Sequence, residues 1–337
     1  MQYYSIVKNA EKVTIFYHDP CLDGAAAAWA AYKKWKDTAL YVGINHASIE
    51  ATQQLIRRNI DGNTLVIFAD FSPPRTILDE LAAASESIEI YDHHASAIRD
   101  LAGYKNEKVS MYMDVGRSGG AILHDALFGN CKRPQVIEHA QMIDLEQTSR
   151  RNFFPIAAYY DSLSLSDINE IVASLNDVDK TPLDKIVARG QSIRRSNSTA
   201  IEKAMESRVW TKVAILLGTQ PVYVPMINTN LQFMGREYSI RLRQLAEATA
   251  PGFVAFSWWE DKGIVRLSVR SNGMPDAGQV ASHLGNKALG HGLGGGGHPT
   301  SAAAQFTVEQ FNRMFPRITQ QEAVQALQST AAASVPS

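Results

Sequence analysis

The sequence is poor in features that would place it in several broad classes. Its 337 residues include only two cysteines, Cys21 and Cys131, too few for a disulfide framework and in keeping with a reducing compartment. No stretch approaches the roughly 18 consecutive apolar residues that a membrane span requires. Met1-Gln2-Tyr3-Tyr4-Ser5 does not begin a basic and then apolar leader. These absences predict a soluble, cytoplasmic protein with no membrane partner. Lys+Arg 33 against Asp+Glu 34 gives a net charge of -1, so the broad cationic surface that grips long duplex nucleic acid is missing. A small polyanionic ligand is compatible with that balance. Internal repeats and long low-complexity segments are absent as well.

What is present is alternation. The β-rich apolar runs Val13–Tyr17, Leu40–Ile44, Leu65–Ala69, Ile88–Tyr91 and Val109–Met113 are separated by helical patterns at Gly24–Lys36, Ser48–Arg58 and Pro74–Ala84. Ser48 suits an N-cap, and Pro74 suits a first helical turn. This is the pattern of βαβ units and a mostly parallel sheet. Helical patterns follow at Ser118–Phe128, at Pro134–Thr148 and from Asp167 to about Glu206. Near Ser207–Lys212 β-rich runs return, at Val213–Leu217, Val222–Ile227, Phe253–Trp258 and Ile264–Val269, with a helical pattern over Glu237–Ala248. The length allows two domains. The expectation is an α/β chain in which residues 1–206 form a parallel-sheet domain ending in a helical linker region. Residues 207–330 would form a smaller α+β domain, with a cleft between the two.

Ligands collect at the carboxyl ends of strands in open parallel sheets. Here the first run ends in His18-Asp19-Pro20-Cys21-Leu22-Asp23-Gly24, the third in Asp70-Phe71-Ser72 and the fourth in Asp92-His93-His94. Carboxylates and imidazoles converging from separate strand ends suit a pair of divalent ions such as Mn²⁺, bridged by a carboxylate and about 3.5–4 Å apart. Each piece alone also has a plain reading: Asp70 as a helix N-cap, and Asp92-His93-His94 as a loop with a buried histidine. Their combination outweighs both. The Ser118-Gly119-Gly120 step reads as a helix start, either a structural cap or a source of backbone N–H donors.

These motifs resemble the DHH phosphoesterase superfamily, which includes RecJ-type nucleases, family II pyrophosphatases and nano-RNases. Ser268-Val269-Arg270-Ser271-Asn272-Gly273, followed by Gly294–His298, is similar to its DHHA1 substrate-binding domain. The resemblance runs from residue 13 to about 306. It implies two divalent ions, Mn²⁺ foremost and Mg²⁺, Zn²⁺ or Fe²⁺ as other occupants, that activate a water to attack phosphorus. Asp70 would bridge them, His18 would belong to one ion, and Asp23 and His93 to the site. Asp92 would be a ligand or would orient the neighbouring imidazole. His94 would face the phosphate. The family's later lone Asp matches Asp144 best, with Asp125 and Asp114 as weaker matches. The first motif departs from the common form. Cys21 falls where a carboxylate is expected, as in a subgroup with a His-x-x-Cys-x-Asp-Gly pattern, so either Cys21 ligates or Asp19 swings in.

In the second domain, a glycine-rich turn leading into a helix would expose N–H donors beside Arg270, Ser271, Gly296, Gly297 and His298, making a small anion pocket. The resulting expectation is a divalent-metal-dependent phosphodiesterase acting on short oligonucleotides or nucleotides, alone or as a homodimer. Pyrophosphate or polyphosphate hydrolysis, and nucleotide binding without cleavage, stand as alternatives.

Overall fold

A computed structural model describes residues 11–45, 49–129, 131–213, 222–228, 235–249, 254–273, 275–287, 289–297, 299–319, 321–323 and 325. The chain divides into two compact units, residues 1–191 and 192–337. In the first unit the order is β1 (Lys12–His18), α1 (Leu22–Trp35), β2 (Ala39–Ile44), α2 (Ile49–Arg58), β3 (Thr64–Ala69), α3 (Arg75–Ala84), β4 (Ser87–Asp92), α4 (Ala95–Asp100) and β5 (Val109–Met113). Helices α5 (Gly119–Phe128), α6 (Gln135–Asp144), α7 (Phe153–Tyr160), α8 (Ile168–Lys180) and α9 (Leu183–Glu206) follow. The last of these runs across the division between the units, and the composition shift near Ser207 marks its end.

All five strands of this unit are parallel, in the order β2-β1-β3-β4-β5. The order reverses beside β1, so the carboxyl ends of β1 and β3 flank a topological switch point, where open α/β sheets leave a crevice. One sheet face buries Phe16, Val66, Phe68, Ile88 and Ile90 against Ile77, Leu78 and Leu81 of α3. Helix α1 is buried from Asp23 through Ala31 and packs against α5, α6 and α8. Its run of alanines supplies the small side chains that close helix packing needs.

The second unit contains β6 (Val209–Val213), β7 (Val222–Asn228), α10 (Gly235–Thr249), β8 (Ala255–Asp261), β9 (Ile264–Arg270), α11 (Ala277–Leu284), β10 (Gly294–Gly297), β11 (Ser301–Thr307), α12 (Val308–Met314) and β12 (Arg317–Ile318). Its seven-stranded sheet has the order β10-β11-β9-β8-β7-β6-β12, and α11 packs on it through Ala277, Val280, Ala281 and Leu284.

Two expectations are corrected here. The glycines do not form a turn that leads into a helix. Gly294–Gly297 are an edge strand paired antiparallel with β11, and the small residues after them are β11 itself. Ala302, Ala304 and Phe306 are buried in alternation with exposed Ala303 and Gln305, a period of two that overrides alanine's preference for helix. The glycines serve the close approach of α11, since a Cβ at Gly295 would fall 2.1 Å from the Ala281 carbonyl oxygen. The second correction is that α6 stops at Asp144 rather than Thr148. The expected cap Ser48 lies outside the described residues.

Candidate metal centre

Four chain segments deliver the site. His18 is the last residue of β1, Cys21 occupies the N-cap position of α1, and Asp23 lies in its first turn. Asp70 directly follows β3, Asp92 ends β4 with His93 and His94 after it, and Asp144 ends α6. Glycines permit this crowding. A Cβ at Gly24 would fall 2.0 Å from the His18 carbonyl oxygen, and one at Gly119 would fall 2.7 Å from Asp70 Cα. Only glycine lets the starts of α1 and α5 press so closely on the strand ends.

Donor atoms converge at separations that fit shared cations. His18 Nδ1 lies 3.4 Å from Asp70 Oδ2. His93 Nε2 lies 3.3 Å from both Asp70 Oδ1 and Asp144 Oδ2. Ligands about 2.1 Å from an ion are themselves about 3.0–3.4 Å apart in octahedral or tetrahedral geometry. Asp70 is 1% exposed, yet neither of its carboxylate oxygens takes part in an aligned hydrogen bond, and the same holds for His93 Nε2. Buried carboxylate oxygens and imidazole nitrogens aimed at one another at these separations are an arrangement that a bound cation would satisfy. Among the described residues three metal-sized groups form: His18, Cys21 and Asp70; Asp70, His93 and His94; Asp23, His93 and Asp144. The residues present therefore fit a pair of divalent ions.

The electrostatics agree. Burial pushes the Asp23 carboxyl well above its usual range, and the neighbouring Asp70 and Asp144 add to the effect. Burial likewise pushes the Cys21 thiol up, reinforced by Asp70 and Asp23. For His93, burial alone would lower the imidazole, but Asp70, Asp144 and Asp23 outweigh it and hold it at about 9. Burial would raise Asp70, yet His18, His93 and His94 keep it well below the usual carboxylate range. A bound cation would offset the negative charge that these carboxylates gather.

Asp92 has a different role from the carboxylates just described. Its Oδ1 accepts from His94 Nδ1 at 2.6 Å and from the backbone N–H groups of His93 (2.6 Å) and His94 (3.1 Å), while Oδ2 accepts from Ser72 Oγ at 2.5 Å. It falls in none of the three groups, and its contact with Nδ1 holds the His94 ring. Ser72, two residues beyond Asp70, completes this support, and nothing in the sequence pattern assigned it. Ser118 caps α5 by accepting from Ala121 N, and Gly120 N–H points at Asp23, 3.2 Å from Oδ2. The Ser-Gly-Gly step thus supplies both a cap and a donor. Asp19 turns toward β2, where a Cβ at Gly43 would meet its side chain. Asp114 and Asp125 are engaged by Arg117 and Arg133.

In the second unit Arg270 Nη1 donates to the Val269 carbonyl at 3.0 Å. Ser271 is fully buried, and its hydroxyl lies 2.7 and 2.9 Å from the carbonyl oxygens of Pro275 and Pro299 while accepting from Gly273 N–H. Its side chain is thus used to close the loop. Gly296 and Gly297 lie in β10, and His298 is outside the described residues.

The family model for the DHHA1 domain matches residues 236–323. No curated protein matches the chain. Among solved structures, an uncharacterized protein from Helicobacter pylori is 15% identical with a TM-score of 0.35, covering 94% of this chain and 97% of that one. RecJ in complex with Mn²⁺ from Thermus thermophilus is 13% identical with a TM-score of 0.49, covering 97% of this chain and 53% of that one, so this chain spans about half its length. CDC45 from Entamoeba histolytica is 10% identical with a TM-score of 0.46, covering 94% and 95%. A five-stranded parallel α/β unit with Asp92-His93-His94 at a strand end is thus joined to a DHHA1 region. The family match is to the DHHA1 domain and covers residues 236–323 of the second unit.

Proposed function

We propose that the protein is a divalent-metal-dependent phosphodiesterase that hydrolyses short oligonucleotides or nucleotides. The observation that carries this reading is the buried Asp70 carboxylate, whose two oxygens face His18 and His93 without an aligned hydrogen bond at a sheet switch point. Bound divalent ions supply the means to deprotonate a water and to offset charge on phosphoryl oxygens. Asp70 would be shared by two ions, His18 and Cys21 would help to hold one of them, and His93, Asp23 and Asp144 would hold the other. His94, its Nδ1 committed to Asp92, offers Nε2 to a phosphoryl oxygen. The carboxylate beside it holds the ring against the effect of burial and favours its charged form, which suits stabilisation of a developing negative charge. In the DHHA1 region, Arg270, Gly296, Gly297 and His298 are assigned to the phosphate or sugar of the substrate.

The short-substrate preference rests on charge. With a net of -1, affinity has to come from a few local contacts rather than from a long cationic track. The test is a substrate panel on the purified chain with Mn²⁺, Mg²⁺ or Zn²⁺: a 5′-phosphorylated dinucleotide, 3′-phosphoadenosine 5′-phosphate, tripolyphosphate and a strand of about 30 nucleotides. Mn²⁺-dependent release of mononucleotides from the dinucleotide, faster than from the long strand, is expected. Equal rates on both would contradict the size preference. Turnover of tripolyphosphate alone would make the protein a polyphosphate hydrolase, and nucleotide binding without turnover would make it a non-catalytic module.

A further inference from the structure

The donors of the metal centre are not chemically uniform. One group combines an imidazole, a thiol and a carboxylate (His18, Cys21, Asp70), whereas another combines two carboxylates and an imidazole (Asp23, His93, Asp144). In each group the donor atoms lie within 4.8 Å of one another. Sulfur is present on one side only.

The fold holds Cys21 in place. It is the N-cap residue of α1, with extended backbone (φ -147°, ψ 137°), and its carbonyl accepts from Ala25 N–H at 2.9 Å. The contact of Gly24 with the His18 carbonyl closes the loop against the end of β1. Asp19, the other residue of this loop that would serve as a hard ligand, is turned toward Gly43. The nearby Asp70 carboxylate is an independent sign of a ligand, being 1% exposed with neither oxygen in an aligned hydrogen bond.

We infer that Cys21 is a metal ligand and that the two ion positions are unequal. His18, Cys21 and Asp70 form a thiophilic position for Zn²⁺, Co²⁺ or Fe²⁺, and Asp23, His93 and Asp144 form a hard position for Mn²⁺ or Mg²⁺. The inference rests on reading the cluster as a metal centre and adds that its native occupant is a mixed pair. On ligation the sulfur–hydrogen bond gives way to a sulfur–metal bond and the proton passes to solvent, with no change of oxidation state. Thiolate donors select the softer ions, while carboxylate-rich sites accept Mn²⁺ and Mg²⁺.

The test uses the metal-stripped full chain, titrated with Co²⁺, with Mn²⁺ and with both, and followed by absorption and by metal analysis. The first equivalent of Co²⁺ should produce a near-ultraviolet thiolate-to-cobalt band along with visible d–d absorption. With both metals present the protein should retain one of each. The exposed Cys131 is the other thiol, so Cys131→Ser should keep the band. Cys21→Ser and Cys21→Asp should lose it while keeping d–d absorption. Asp is itself a strong N-cap residue, so Cys21→Asp should preserve α1 and the far-ultraviolet circular dichroism. It should also move the Co²⁺ over Mn²⁺ preference toward Mn²⁺ by on the order of tenfold. Cobalt bound by the wild type with d–d absorption but no thiolate band would overturn the role of Cys21 and leave the metal centre standing. A band that persists in Cys21→Ser, or that vanishes in Cys131→Ser, would overturn it as well. Retention of no divalent ion by the wild type would overturn both this inference and the proposed function.

Discussion

Asp70 sits in left-handed backbone (φ 57°), a conformation that costs a non-glycine residue roughly 1 kcal/mol or more. Its N–H donates to the Tyr91 carbonyl at 2.9 Å, so the strained turn is tied to the neighbouring strand and the carboxylate is held over the switch point. In Asp70→Asn, bound-metal analysis should show loss of the ion pair. Hydrolysis should fall by on the order of 10²–10³-fold, because the amide cannot bridge two cations. Asp92→Asn separates ligation from orientation. Asp92 accepts four hydrogen bonds and falls in no metal-sized group, so this variant should keep its metal stoichiometry while turnover drops about tenfold or more through loss of control over His94. Loss of an ion in Asp92→Asn would instead make Asp92 a ligand. The Asp92-His93-His94 motif was legible as chemistry because its residue types are costly to place at a strand end without a use. The division of labour between Asp70 and Asp92 was not, since it depends on which carboxylate the Ser72 hydroxyl and the local N–H groups reach.

The N-terminus of α5 and the glycine strand β10 solve the same problem at different places. In both, a missing Cβ allows main chain to touch main chain. Gly119→Ala would drive a methyl into Asp70 Cα, so it should destabilise the first unit by roughly 1–3 kcal/mol and weaken metal retention together. Gly295→Ala meets the Ala281 carbonyl oxygen at 2.1 Å and should cost a similar amount, yet leave metal stoichiometry unchanged. Denaturant titration beside metal analysis distinguishes the two patterns. The five apolar runs of the parallel sheet were readable because strands buried on both faces need near-continuous apolar sequence. The small residues after the glycine run suggest the start of a helix, because alanine favours helix locally, but Ser301–Thr307 is a strand. Its strand state follows from pairing with β9 and β10 and from the cover of α11, which are contacts distant in sequence.

For the whole chain, stability should depend on acid through His139. Burial, with a smaller contribution from Arg150, lowers its imidazole to about 4, and Tyr160 Oη lies 3.1 Å from its Nδ1. The folded form therefore binds a proton less readily than the unfolded chain, whose histidine titrates near 6.5. This contribution to stability is fully present above about pH 6.5 and is lost as pH falls toward 4, by roughly 2–3 kcal/mol. Denaturant unfolding across that window should show a shallower decline in His139→Asn than in the wild type. Equal slopes would remove His139 from the account. Mn²⁺ should also raise the melting temperature, since a ligand at 100 times its Kd that binds only the folded state adds about 2.7 kcal/mol. Asp70→Asn should abolish that gain.

Alternation of strands and helices, the placement of carboxylates and imidazoles at strand ends, and the near-zero net charge were set by the sequence itself, because periodicity and residue chemistry are local. Tertiary structure decided which donors meet. It gathered His18, Cys21, Asp70, His93, Asp23 and Asp144 while turning Asp19 away, committing Asp92 to His94, and pairing Asp114 and Asp125 with arginines. It also made the glycine run a strand rather than a helix-leading turn. Those outcomes depend on the order in which strands pair and on how closely helices approach them, and neither is encoded in any single stretch of chain.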